Sequence, residues 1–187
     1  RTFYSIFITR GPSYDVLLMN QHGLLILNKL IFENNVLSVS VNELGYLKLN
    51  QKNGGVVIIP AYKTKYAIIQ HSRNGEVLHE FPRGFLEPDE THIEGAEREL
   101  KEELNLESVD SYSLGQLITD SGLITDKIQA VICNVNDISL LNPQKDEGVI
   151  CCEFYSKGEI FDMIKTGLIK DNFTLSAFML LIAKKSD

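Results

Sequence analysis

The chain has 187 residues, enough for one domain with a full core plus a small appended sheet, and too few for a second separate globule. Lys and Arg number 18 against 25 Asp and Glu, a formal net charge of −7, and no basic run exceeds Lys184-Lys185, which argues against a nucleic-acid backbone as the main partner. Three cysteines, Cys133, Cys151 and Cys152, are an odd set without a C-x-x-C pair, which argues against a disulfide framework and a zinc site.

From residue 2 to about residue 51 the pattern is one of short β runs: TFYSIFIT, DVLLMN, LLILNKLIF, VLSVSVN and YLKLN. Turn residues punctuate them at Gly11-Pro12, His22-Gly23, Asn34-Asn35 and Asn53-Gly54-Gly55, which predicts an antiparallel meander over residues 1–53. This part is read as a packing or dimerisation subdomain. LLILNKLIF is apolar on both faces with too little core of its own, so a homodimer through these strands is expected. No internal repeat and no low-complexity tract is detectable.

Residues 54–187 then read as a second, larger domain. VVIIP, YAIIQ and EVLHEF are more uniformly apolar, as suits strands buried on both faces. Pro82-Arg83-Gly84 is expected to bend the chain, and Thr91 or Asp89 to cap a helix running to about Leu104. Ile93, Ala96, Leu100 and Leu104 make its expected buried stripe, with the glutamates on the other side. Further strand candidates are SLGQLIT, KIQAVICNV and VICCEFY, in which the cysteines read as buried thiols. Two helices follow. Ser156 and Glu159 form a capping box for the first, Gly167 stops it, and Asp171 or Asn172 starts the second, whose face is Leu175, Phe178, Leu181 and Ile182. Strands with helices on both sides predict a three-layer α/β/α sandwich.

The stretch GFLEPDETHIEGAERELKEELNL, residues 84–106, carries the chemistry. On a helix Glu99, Glu102 and Glu103 stand at i, i+3 and i+4, so three carboxylates share a face and repel one another. A bound cation is the natural partner for such a set. Oxygen donors without Cys or His suit Mg2+ or Mn2+ rather than Zn2+. Asp146 and Glu147 lie in a polar loop, NPQKDEG, where a mobile carboxylate could swing over that site. His22, His71, His79 and His92 have no partner spacing and read as surface or packing residues. A thiol nucleophile at Cys151-Cys152 lacks any signature of a low pKa. FMLLIA, residues 178–183, falls far short of the ~20 apolar residues of a membrane span, so the chain reads as soluble and cytoplasmic. It begins at Arg1 without Met, which leaves a removed leader open.

Counted out, the same stretch reads G-x5-E-x7-R-E-L-x-E-E-x-N-L, which resembles the Nudix box, G-x5-E-x7-R-E-U-x-E-E-x-G-U with U aliphatic. Gly84, Glu90, Arg98, Glu99, Leu100, Glu102, Glu103 and Leu106 fit, and Asn105 stands where the family has Gly, as the second choice for a left-handed residue after a helix. Six such positions coincide by chance on the order of 10⁻⁸ per window, which sets aside a merely solvated acidic face. From about residue 54 onward the chain also resembles ADP-ribose and nucleotide-sugar pyrophosphatases of that family. EFPRG is similar to their E-[LFI]-P-[AR]-G, TDSGLITDKIQAVIC to their S-P-G-x-x-x-E segment with Ser121 in place of Pro, and the C-terminal stretch to their acidic loop and G-x-I-x-D-x-x-T helix.

The resemblance implies an α+β chain, a Nudix-type α/β/α sandwich with a mixed sheet, beside the N-terminal antiparallel β subdomain. It implies metal held by Glu99, Glu102, Glu103 and a backbone carbonyl at Arg83 or Gly84, with substrate contacts from Arg73, Arg83 and Gly122. Glu90 and Arg98 would be a structural ion pair. Glu99 and Glu103 belong to the catalytic set, and Glu147 is the expected base, ahead of Glu99, with Asp146 behind. The expected reaction is Mg2+-dependent hydrolysis of a nucleoside diphosphate linked to a group X. ADP-ribose, cleaved to AMP and ribose 5-phosphate, is favoured over ADP-sugars, GDP-mannose and NADH. Phe32 or Tyr46 could stack on the base in a dimer partner's site. A nucleotide sensor that binds without cleaving is the alternative, against which the intact glutamates stand.

Overall fold

The structure is a computed structural model, which describes the backbone of residues 5–9, 14–19 and 25–184 and the side chains of residues 28–184. The chain divides into two compact units, Arg1–Lys52 with Ile118–Asp126, and Asn53–Leu117 with Lys127–Asp187.

The first unit is a six-stranded sheet in the order β1-β2-β3-β4-β5-β11. Here β1 is Ser5–Thr9, β2 Tyr14–Met19, β3 Leu25–Glu33, β4 Leu37–Asn42 and β5 Leu47–Gln51, each antiparallel to the next. The turns follow from side-chain chemistry. Asn34 Oδ1 accepts from the N–H groups of Val36 and Leu37 at 2.8 Å each, and Asn42 Oδ1 accepts from Leu44 and Tyr46 at 3.0 and 2.9 Å. The expected turns at Gly11-Pro12 and His22-Gly23 lie outside the described residues, as does the start of the first β run. One strand departs from the expected meander. β11, Ile124–Thr125, runs parallel to β5, which carries residues 118–126 into this unit although their place in the chain predicts the second domain. A register break between Leu30 and Phe32 makes Ile31 an extra residue in β3, and both Ile31 and Phe32 stay exposed.

The second unit holds a mixed sheet in the order β10-β12-β6-β7-β13. Its strands are β6 Gly55–Tyr62, β7 Lys65–Arg73, β8 Glu76–Glu80, β9 Arg83–Phe85, β10 Asp110–Leu117, β12 Ile128–Asn134 and β13 Val149–Ser156. β12 runs parallel to β6, while β8 pairs with β7 and β9 with β6. The helices are α1 His92–Leu104, α2 Lys157–Lys165 and α3 Asn172–Lys184. Because successive side chains of a strand point to opposite faces, β6 feeds two cores at once. Val57, Ile59 and Ala61 pack with α2 and α3, whereas Val56 and Ile58 pack with α1. Every residue of β6 before Tyr62 is buried for this reason, and the result is the α/β/α sandwich with its mixed sheet.

Four local expectations need correction. EVLHEF is not a strand buried on both faces, because β8 is buried only at Glu80 and Val77 is 48 % exposed. Residues 82–84 do not simply bend, because Arg83 and Gly84 enter β9 opposite Val57 and Val56. Ile93 is 39 % exposed, since tight packing of the helix against Leu86 and Glu90 begins only at Gly95. Glu103 is buried with Ala96 and Leu100, not turned away with the other glutamates. Lying three residues after Leu100 and seven after Ala96, it falls on their stripe at 3.6 residues per turn. Of the cysteines, only Cys133 is fully buried.

Candidate active site

Helix α1 is started by a box within its own first turn and ends at a left-handed Asn105. Thr91 Oγ1 accepts from Glu94 N–H at 3.3 Å while Glu94 Oε2 accepts from Thr91 N–H at 2.9 Å, a reciprocal capping box, and Asp89 instead takes a positive φ of 66° before it. Asn105 closes the helix at φ 54°, ψ 34°, its N–H donating to Lys101 O. The carboxylates therefore sit on a rod with little freedom to fray.

Arg98 organises the start of the site. Its Nε and Nη2 donate to the two oxygens of Glu90 at 2.9 and 3.0 Å, its Nη1 to Glu99 Oε1 and Glu102 Oε2 at 2.9 and 2.8 Å, and its Nη2 to Phe85 O at 2.9 Å. A forked pair of this kind fixes both partners. The Arg98 pKa is raised, chiefly by Glu90, while the Glu90 carboxyl is held below its ordinary value by the same contact. Glu90 and Arg98 thus tie the loop before the helix to the helix itself. Gly95 leaves the room for it, because a Cβ there would come within 2.3 Å of Leu86 Cδ2 and 3.0 Å of Glu90 Oε2.

Gly84 has a sharper reason to be glycine. A Cβ at that position would stand 1.9 Å from Glu99 Cδ and Oε1, so the β9 backbone lies directly on the Glu99 carboxylate. Burial raises the Glu99 pKa, opposed by Arg98. Glu103 is more extreme. It is 4 % exposed, its Oε2 has no hydrogen-bond partner, and burial, then the charge of Glu99, pushes its pKa up to about 8. Glu102 is half-exposed on the outer side.

Across from Glu103 lies a cluster that no spacing in the sequence assembles. Arg73 ends β7 just before Asn74-Gly75, whose φ values of 50° and 82° make the tight turn into β8. Glu80, at the end of β8, is wholly buried, and accepts from Arg73 Nε at 2.6 Å. Its other oxygen lies 3.5 Å from Arg83 Nη2, and the Arg83 guanidinium stacks on the Phe173 ring at 4.6 Å. The Arg83 side chain is therefore engaged inside the protein. Arg83 Nε and Glu80 Oε2 are both buried without a hydrogen-bond partner. The signal for Glu80 was available as the acid that opens EFPRG, but spacing alone says nothing of its partners.

Glu147 and Asp146 are exposed on the loop, and the charge of Glu147 is felt at both Glu99 and Glu103. That loop is less free than its composition implies. Asn142 N–H donates to Leu104 O at 3.0 Å, Gln144 N–H to Glu103 O at 2.9 Å and Asn105 Nδ2 to Leu140 O at 2.9 Å, so it caps the C-terminus of α1. Gly122 is not among these residues. It belongs to the first unit, where its carbonyl accepts from Lys48 Nζ at 2.7 Å and its N–H donates to Asp120 Oδ1 at 2.9 Å. Burial pushes the Cys152 thiol up to about 12, which removes it as a nucleophile.

The donor set suits a hard divalent cation: carboxylate oxygens, a buried Glu103 oxygen without a partner, and a backbone that a Cβ would displace from Glu99. Among the described residues no three His, Cys, Asp or Glu groups converge at ligand distance, and Arg98 Nη1 holds an oxygen of Glu99 and of Glu102.

The chain resembles a solved structure described as "Crystal structure of ADP compounds hydrolase", with 18 % identity, a TM-score of 0.65, and coverage of 99 % of this chain and 95 % of that one. No curated protein matches the chain in sequence. The family model of the NUDIX domain matches residues 51–166, a span that contains the capped carboxylate helix, its Arg98 anchor and the loop of Glu147, and the chain belongs to that family of pyrophosphohydrolases.

Proposed function

We propose that this protein hydrolyses the diphosphate bond of a nucleoside diphosphate linked to a group X, with ADP-ribose as the favoured substrate and AMP and ribose 5-phosphate as products. The observation that carries the reading is the buried Glu103 carboxylate, unpartnered at Oε2 and acted on by the charges of Glu99, Arg73 and Glu80. An ionised group so desolvated is costly unless a cation neutralises it. Glu99, Glu102, Glu103 and the backbone at residues 83–84 would hold Mg2+ or Mn2+. A divalent cation bound there supplies positive charge to the diphosphate oxygens.

The remaining work falls to side chains. Glu80 occupies the Nε edge of Arg73 and leaves four of the five guanidinium N–H groups for phosphate oxygens. Glu147 takes a proton from the attacking water as its oxygen bonds to one phosphorus and the bridging oxygen leaves with the other phosphate. The structural neighbour described as an ADP compounds hydrolase accords with an adenine nucleotide substrate. Exposed Ile31, Phe32, Leu44, Tyr46 and Leu47 on the first unit support a homodimer through its sheet, with Phe32 or Tyr46 as candidates for stacking on a base. Three free cysteines, and no helix long and apolar enough to cross a membrane among the described residues, accord with a cytoplasmic setting.

The test is a panel of ADP-ribose, ADP-glucose, GDP-mannose and NADH incubated with and without Mg2+, with products separated by chromatography. AMP and ribose 5-phosphate from ADP-ribose, only with the metal, are expected. Binding of ADP-ribose by calorimetry without turnover of any compound would instead identify a sensor.

A further inference from the structure

We propose that His71 is a positioning residue for Glu147: its buried imidazole fills the space against Gly148 and so sets the turn that carries the Glu147 carboxylate. The inference rests on the reading of Glu147 as the base. His71 lies in β7, is 6 % exposed, and pairs across the sheet with Val149 at the start of β13. Between Val149 and Cys151 the register breaks, so regular ladder geometry stops near the residue that His71 faces.

What replaces the ladder is a contact between the ring and the turn. Gly148 has a φ of +84°, and a Cβ there would lie 2.8 Å from His71 Cε1 and 3.2 Å from Nε2. The chain passes as close to the imidazole as a glycine allows. Ser72 N–H donates to Gly148 O at 3.0 Å, which clamps that glycine to β7 from the other side of its peptide. His71 Nδ1 lies 3.1 Å from Ser72 O, and the ring also faces the Glu147 backbone carbonyl. The ring is thus held by its own strand and holds the turn.

The other flank of the turn is tied to the catalytic helix. Gln144 N–H donates to Glu103 O, and Gln144 O accepts from Glu147 and Val149 N–H at 3.2 and 3.1 Å. Gly148 N–H donates to Lys145 O at 3.1 Å. Glu147 therefore sits on a short span whose ends are pinned to α1 and to β7. The course of that span, which brings the Glu147 charge to bear on Glu99 and Glu103, is set by what fills the gap at Gly148, which is His71.

The test is a double-mutant cycle of His71→Leu and Glu147→Gln on the best substrate of the panel, at saturating Mg2+, with folding checked by circular dichroism. His71→Leu is expected to lower kcat about 10-fold, with KM and the Mg2+ midpoint changed less than about 2-fold, and His71→Gln, which restores a side-chain N–H, to recover most of the loss. In the Glu147→Gln background the same substitution is expected to change kcat less than about 2-fold, because the group it positions is gone. Equal fractional losses in both backgrounds overturn the positioning role and leave the base assignment standing. A Glu147→Gln enzyme with wild-type kcat overturns the base assignment and this inference together. If His71→Leu does not fold, Gly148→Ala, whose methyl enters the same contact, takes its place in the cycle: a loss of kcat confined to the Glu147 background supports the positioning role, and equal losses in both backgrounds overturn it.

Discussion

At the scale of single residues, the site is governed by one short distance and one buried charge. Gly84→Ala would drive a methyl into the Glu99 carboxylate, 1.9 Å away at its ideal position. It is expected to leave the protein folded and to lower kcat/KM by about 10²-fold or more, read from initial rates beside a circular dichroism spectrum. Glu103 makes a pH prediction. Its carboxyl holds its proton to about pH 8 in the fold but to an ordinary carboxylate pKa of 4.5 in the unfolded chain. Between those values the unfolded chain binds fewer protons, so this group's contribution to stability falls as pH rises. Without divalent ions, Glu103→Gln is therefore expected to melt above wild type at pH 8.5 and to converge with it near pH 4.5, in thermal scans. Added Mg2+ should stabilise wild type more than the variant. A base and a metal ligand also separate kinetically. Glu147→Gln is expected to lower kcat by about 10²- to 10⁴-fold with the Mg2+ midpoint unchanged, whereas Glu99→Gln is expected to move that midpoint. Near wild-type kcat for Glu147→Gln would transfer the base role to Glu99.

At the scale of elements, helix α1 combines a strong local start with a tertiary end. Its capping box spans only Thr91 to Glu94, and the same pattern from Ser156 to Glu159 starts α2, with Glu159 Oε2 accepting from Ser156 N–H at 2.7 Å. The box of α2 was legible in sequence because every atom involved lies within one turn, while for α1 the sequence left Thr91 and Asp89 as alternatives and the structure chose Thr91. The C-terminus of α1 is different, since its last carbonyls are met by the loop around Asn142 and Gln144. Thr91→Ala and Ser156→Ala are each expected to cost about 1 kcal/mol in urea unfolding. Only Thr91→Ala should also lower kcat, because α1 carries Glu99 and Glu103 while α2 carries none of the site. Equal effects on rate would detach helix fraying from the chemistry.

At the scale of the whole molecule, the first unit bears exposed apolar residues that its own sheet does not cover. Leu44 is 79 % exposed and Tyr46 66 %. A homodimer is expected at micromolar concentration by light scattering, and charge substitutions at Ile31 and Leu47 should drive it toward monomer. A wild-type monomer would remove that sheet from consideration as an interface. The assignment of residues 118–126 to this unit also belongs to the whole molecule, because β5 and β11 are far apart in the chain and meet only by parallel pairing.

The amino-acid sequence alone determined what short spacings decide. The carboxylate helix, the left-handed Asn105, the buried strands β6 and β7 and the family itself follow from neighbours within a few residues or from hydrophobic period, whereas EVLHEF, read the same way, is exposed at Val77. Tertiary structure decided which glutamate is desolvated, that Gly84 lies on Glu99, that Glu80 binds Arg73, that Gly122 belongs to the other unit, and that His71 meets Gly148. These depend on how strands and helices are brought together, set by strand order, register and the breaks in register. A local pattern says that a strand or helix will form. It does not say which of its residues will face the end of another one.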